Sequence, residues 1–373
     1  MRREYVETPY GYAKKESVER LSEVDAIIFD CDGVLIDVSQ SYLRAPIETC
    51  SRIMELLGSP VEPKPPKEAV QAFKETGGFN NDWDVAYAMT TYAILTSPEG
   101  FRRRLAILVE ERPEEDPVEG FLWVSRRMRE AGPKTLRLDV EGLRRFASLF
   151  DDEGIAKMER VVERVHLPKD TYRAVSELLA YPGDVGSSVV TTVFEELFCG
   201  SELFRSVYGL EPRFHSGRGL IDLERPMVSE ELLTELLEVL GDGRLGIASG
   251  RARTLANHTL GDLMRFFVEE ATTFLEDLRG DLSLMKPNPY TLLRSASGLE
   301  PFKAVLYVGD SAEDVIASKR AGEVDGRFLS ACIYGNAPDP GRALRRFMEL
   351  GADLIIRSVN ELPEALRHLG EAA

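Results

Sequence analysis

The stretch AIIFDCDGVLID, residues 26–37, runs four apolar residues straight into Asp30 and Asp32. At about 4 Å and an effective dielectric near 20, two such carboxylates repel by roughly 4 kcal/mol. A cation must offset that cost. Three further polar clusters accompany later parts of the chain: IASGR (247–251), MKPNP (285–289) and VGDSAED (308–314). If the apolar runs beside them are strands of one doubly wound sheet, their carboxyl ends line a single ligand crevice. Asp30, Asp32, Ser249, Asp310 and Asp314 then converge at one edge, with Lys286 reaching in. A hard divalent cation with oxygen ligands relieves the repulsion among four carboxylates, and Mg²⁺ suits a site that also binds phosphate.

Five short apolar runs read as buried parallel strands: AIIF (26–29), RLGIA (244–248), AVLYV (304–308), FLSACIY (328–334) and DLII (353–356). Helical patterns separate the last four, as in EELLTELLEVLG (230–241), whose leucines share one face and which stops at Gly241. Alternating strands and helices predict an α/β fold with a doubly wound parallel sheet. The about 200 residues between the first two strands read as almost wholly helical. SQSYLRAPIETCSRIMELLG (39–58) is amphipathic, with Asp37 serving equally well as its N-cap or as a site residue. EGIAKMERVVERV (153–165) carries a stripe of Ile155, Met158, Val161, Val162 and Val165. The predicted organisation is a core of 1–37 and 225–373, interrupted by a helical domain of 38–224.

In this order and spacing the clusters resemble the four motifs of the haloacid dehalogenase-like (HAD) hydrolases. DCDGVLID is similar to the first, IASG to the second, Lys286 to the third and GDSAED to the fourth. The likeness covers 24–37 and about 224–368. It reaches into the insert at FKETGGFNNDWDVAYA (73–88) and FEELFCGSELFRSVYG (194–209), which resemble a branch with a helical cap between the first two motifs. Residues of about 97–187 match none of it and read as an extra insertion that serves as an enlarged cap, an oligomer interface or a separate binding module.

The resemblance implies a Rossmann-like core and a Mg²⁺-dependent phosphatase. Asp30 would be the nucleophile that forms an aspartyl-phosphate. Asp32 would protonate the leaving alkoxide and then activate water. Ser249 and the Gly250 N–H would hold phosphoryl oxygens, and Lys286 would offset charge on Asp30 and the transferring group. Mg²⁺ would sit on Asp30, the Asp32 carbonyl, Asp310 and Asp314. Gly33 allows a sharp turn after the pair. Arg251 could meet a second anionic group of the substrate, or lie with Arg253 on a solvated helix face. In GGFNNDWD (77–84), Asn80 and Asn81 read either as a substrate loop that closes over the crevice or as a turn and N-cap. A phosphomutase shares every one of these motifs, and a metabolite-binding protein could keep the fold without the chemistry.

The net charge of −17 disfavours nucleic acid and anionic membrane as partners and leaves a small phosphorylated metabolite open. No apolar run of about 18 residues and no signal-like N-terminus appears, so a soluble cytoplasmic protein is expected. Four scattered cysteines without CxxC spacing read as reduced and buried. Two Gln and six Asn against abundant Arg and Glu hint at a thermophile.

Overall fold

Each apolar run of the core becomes a strand because both of its faces are covered. In the strand Val24–Phe29, Ile27 and Phe29 pack into one hydrophobic cluster and Ala26 and Ile28 into another. That alternation is the period-two signature of a strand sandwiched between two layers. Leu232, Leu233, Leu236 and Leu240 of the helix Glu230–Leu240 cover the first face. Leu292, Ala296, Ala317 and Ala321, from helices Tyr290–Ser297 and Ala312–Val324, cover the second.

The computed structural model describes residues 4–372 except 80, 114, 133 and 242. Its main sheet has eight strands: β1 Tyr5–Thr8, β2 Gly11–Lys14, β3 Val24–Phe29, β4 Arg244–Ala248, β5 Phe267–Thr273, β6 Ala304–Gly309, β7 Phe328–Ile333 and β8 Leu354–Ile356. Their spatial order is β1-β2-β8-β7-β6-β3-β4-β5. From β8 to β5 every pairing is parallel, whereas β2 runs antiparallel to both β8 and β1. The fold is therefore α/β with a doubly wound sheet, and its topological switch lies between β3 and β6. Three strands go beyond the five apolar runs. The strands β1 and β2 have only four residues each, and β5, FVEEATT, carries two exposed glutamates at the sheet edge. None offers a continuous apolar signal.

The chain forms two compact units, one running to Val38 and resuming at Glu224, the other Ser39–Leu223. Where the first unit breaks, Ile36–Asp37 pairs antiparallel with Arg225–Pro226. Asp37 is thus part of a two-residue strand and not a helix cap. The helix expected over 39–58 begins only at Ala45, with Pro46 in its first turn, and ends at Leu56. Proline suits that position because its missing N–H has no partner to lose.

Among the described residues the second unit is helical apart from a two-residue ladder, Val61–Glu62 with Leu136–Arg137, and two isolated bridges. The segment 153–165 splits into a 3₁₀ turn Gly154–Lys157 and a helix Met158–Arg164. Met158, Val161 and Val162 are buried there, but Val165 is exposed. The segment of about 97–187 shares the core of this unit. Phe73, Phe79, Phe146 and Phe150 form one aromatic cluster, with neighbouring ring centroids 4.9–6.5 Å apart. Tyr181 stacks on Tyr87 at 4.9 Å. The helix span Val189–Tyr208 breaks at Gly200, where φ is 72° and a Cβ would stand 2.4 Å from the Gly219 nitrogen. Just before the break, buried Glu196 accepts the backbone N–H groups of Arg213, Phe214 and His215 at 2.6–2.8 Å. All four cysteines are buried and none forms a disulfide. Among the described residues no helix is long and apolar enough to cross a membrane.

Candidate active site

The site is built at the carboxyl ends of β3, β4 and β6, the three central strands around the switch point, where open α/β sheets bind ligands. Asp30 directly follows β3, and its N–H donates to the Val308 carbonyl at 2.9 Å, tying the end of β3 to β6. The chain then folds tightly. The Cys31 carbonyl accepts from Val34, Leu35 and Ile36, and the Gly33 N–H donates to the Ile36 carbonyl at 2.9 Å. Gly33 adopts φ 76°, and a Cβ there would stand 1.9 Å from Asp310 Oδ2. Only glycine fits both the left-handed turn and the close approach.

After β6, Ser311 caps the helix Ala312–Val324 in a capping box with Asp314. Asp314 is fully buried, and donors crowd its carboxylate. Oδ2 accepts from the Asp310 and Ser311 N–H groups and from Ser311 Oγ, at 3.1, 2.9 and 2.7 Å. Oδ1 accepts from Lys286 Nζ at 2.7 Å and lies 3.0 Å from the Tyr307 hydroxyl. Asp314 therefore both completes the cap of this helix and belongs to the charged cluster.

Lys286 is the hub. Its ammonium has three N–H donors and meets three acceptors: Asp30 Oδ2 at 2.7 Å, Asp314 Oδ1 at 2.7 Å and Tyr307 Oη at 3.1 Å. Burial disfavours its charge, but the carboxylates of Asp30 and Asp314 outweigh that and hold its pKa well above the usual lysine range. Asp30 also accepts the Cys31 N–H at 2.8 Å. Burial nevertheless pushes Asp30 up to about 6, with Lys286 opposing and Asp314 and Asp32 adding to the rise. Asp314 is held below the usual carboxylate range because Lys286 and Ser311 outweigh its burial.

Asp310 differs from its neighbours. No hydrogen-bond donor among the described residues reaches its carboxylate. Burial, then the charges of Asp314 and Asp30, push its pKa well above the ordinary value. Asp30, Asp310 and Asp314 each offer an oxygen, all within 4.8 Å of one another. A carboxylate without donors, beside two others in a desolvated corner, is the environment a hard cation with oxygen ligands fits. The Asp32 side chain is not in that group.

Ser249 follows β4 and is buried, with its N–H on the Thr273 carbonyl at 3.0 Å and its Oγ accepting from the Arg251 N–H at 3.3 Å. It does not cap the next helix, Arg253–Leu260, whose N-cap is Ala252. The Gly250 N–H finds no acceptor among the described residues, as a phosphoryl-oxygen donor requires. Arg251 is neither solvated nor turned out towards a ligand. Its buried guanidinium donates to Asp32 Oδ1 at 2.7 Å and pairs with Glu224. Arg253 lies over the Phe274 ring at 4.6 Å and bonds Thr272. In the helical unit, Asn81 accepts the Trp83 N–H at 2.9 Å and caps the helix Asp82–Leu95. Asn80 lies outside the described residues.

Tyr307 and Glu224 are absent from the sequence reading. Tyr307 carried a faint signal as the one hydroxyl in AVLYV, three residues before Asp310. Glu224 carried none, since its partner Arg251 is 27 residues away.

No family model and no curated protein matches the chain. Among solved structures it is similar to Northeast Structural Genomics Consortium target ZR25, at 18% identity and a TM-score of 0.63, over 93% of this chain and 100% of that one. That likeness is one of fold. It also aligns with phosphatase Tt82 from Thermococcus thioreducens, at 21% identity, TM-score 0.47, covering 87% and 98%. A haloacid dehalogenase-like protein of unknown function from Agrobacterium tumefaciens aligns at 16% identity, TM-score 0.38, covering 93% and 99%.

Proposed function

We propose that the chain is a HAD-type, Mg²⁺-dependent phosphatase that hydrolyses a small phosphate monoester through an aspartyl-phosphate on Asp30. The observation that carries this reading is the pairing of Asp30 with Lys286 at the sheet switch point, beside the donor-less carboxylate of Asp310.

Asp30 and Asp310 would hold the cation. Asp314, whose oxygens are already taken up by donors, adds charge more readily than a ligand atom. Bound Mg²⁺ supplies charge neutralisation for the phosphoryl oxygens.

Lys286 keeps Asp30 fixed and favours its ionised form, the nucleophile. A carboxylate oxygen of Asp30 bonds to phosphorus as the ester P–O bond breaks. The leaving oxygen takes the bond's electron pair and a proton from Asp32, and departs as the alcohol. Asp32, now ionised, takes a proton from water, whose oxygen bonds to the same phosphorus. The P–O bond to Asp30 breaks, its electron pair returns to the carboxylate, and inorganic phosphate leaves. Ser249 Oγ and the Gly250 N–H would donate to phosphoryl oxygens throughout.

Phosphate release from a panel of small monoesters tests this, run with Mg²⁺, with EDTA and with Asp30→Asn. Release that needs both the metal and Asp30 is expected. Transfer to a second substrate hydroxyl without free phosphate would instead identify a mutase. Ligand binding without turnover would identify a binding protein.

A further inference from the structure

The surroundings of Arg251 contradict both roles first considered for it. Its side chain is fully buried, as is that of Glu224. Nη2 pairs with Glu224 Oε2, and Nη1 lies 3.5 Å from Glu224 Oε1, so the fork faces the carboxylate with both nitrogens. Thr259 Oγ1 donates to Glu224 at 3.0 Å from the next helix. The Leu275 N–H donates to the Arg251 carbonyl at 3.1 Å. The arginine is thus held at its backbone and at the tip of its guanidinium, and the group it presents to the site is Nη1, 2.7 Å from Asp32 Oδ1.

A buried ion pair is a poor way to gain stability, because desolvation consumes most of the attraction. It is a good way to fix direction, since a planar guanidinium opposite a carboxylate has little freedom left. Asp32 needs that help. Its side chain is 32% exposed. Arg251 takes one of its oxygens and leaves the other for the proton that the reaction moves.

We propose that Arg251, oriented by Glu224, is the positioning residue for Asp32 and not a receptor for a second anionic group of the substrate. This inference rests on the phosphatase reading. It has a consequence that mere structural support lacks. An alkoxide cannot leave phosphorus without a proton, whereas p-nitrophenolate leaves unaided. Misplacing Asp32 therefore harms alkyl esters selectively.

The test uses the full chain with Mg²⁺ and two probes, 2-phosphoglycerol and p-nitrophenyl phosphate. Positioned general acids contribute about 10²- to 10⁴-fold. Arg251→Gln is expected to lower kcat/KM for the alkyl ester by about 10²-fold and for the aryl ester by less than about tenfold. Asp32→Asn should show the same selectivity, and the double variant should be no worse than Asp32→Asn alone. Equal losses on both esters would overturn the inference, as would a rise in KM with kcat unchanged. Should Arg251→Gln fail to fold by circular dichroism, Glu224→Gln is read by the same criterion. Wild-type protein without turnover of either ester overturns the phosphatase reading and this inference with it. Wild-type turnover with unselective losses overturns this inference alone.

Discussion

Lys286 replaced by methionine leaves Asp30 and Asp314 buried without their shared cation. Removing one partner of a buried pair costs about 3–5 kcal/mol. Urea unfolding of Lys286→Met in EDTA should show a loss of that size, and an unchanged midpoint would rule out the hub described for Lys286. Metal dependence should itself vary with pH. With Asp30 pushed up to about 6 and Asp310 higher than usual, the native chain between about pH 4 and 6 holds protons that the unfolded chain has lost. Metal-free stability therefore falls as pH rises through that window. Mg²⁺ binds the ionised carboxylates, so its increase in Tm should be larger at pH 7.5 than at pH 5. Melting curves with Mg²⁺ and with EDTA at both values decide this, and equal increases would count against a carboxylate cation site. Asp30 and Asp310 were legible in the sequence because each directly follows an apolar run, and Lys286 from its order and spacing among the four clusters. The hydrogen-bond partners Tyr307 and Glu224 and the true place of Arg251 were not. Tyr307 sits inside a strand, and Arg251 was read as facing outwards, because side-chain direction depends on loop geometry that spacing does not encode.

At the level of elements, the loop after β3 and the helix after β6 are joined through Gly33 and Asp310. Gly33→Ala combines an unfavourable φ with a Cβ placed against the Asp310 carboxylate. Strain of this kind costs about 1–3 kcal/mol. Circular dichroism melts should show that loss, together with loss of most phosphate release. Full activity would show that the loop relaxes freely. Ser311→Ala removes an N-cap, worth about 1 kcal/mol, and one donor to Asp314. Long buried strands were legible from their apolar runs, and Glu230–Leu240 from its leucine stripe and terminal glycine. The half-exposed hairpin β1–β2 and the charged edge strand β5 were not, because tertiary pairing and not local propensity makes them strands. The cap alternative for Asp37 fails for the same reason, since its partner Arg225 lies across the whole insertion.

Over the whole molecule, two units each carry their own core, and a chain of this kind need not unfold in one step. Mg²⁺ should raise the midpoint of one transition only. Phe73→Ala, which opens the aromatic cluster of the helical unit, should lower the other, at a cost of about 3–5 kcal/mol. Differential scanning calorimetry separates these outcomes, and one transition shifted by both would show the units to be coupled. The place of the insertion was legible from the gap between the first two site clusters. Its single core was not, because Phe73 and Phe146 are far apart in sequence. The pairing of β2 with β8 spans a still longer distance: Tyr12 lies opposite Ile355. A ribosome delivers β1, β2 and β3 before the helical insertion, and only after it β4, the first parallel neighbour of β3. Until β8 emerges, β2 has β1 alone for company. The nascent chain thus carries exposed strand edges through most of its synthesis, and chaperones that shield such edges would be needed most before β4 appears.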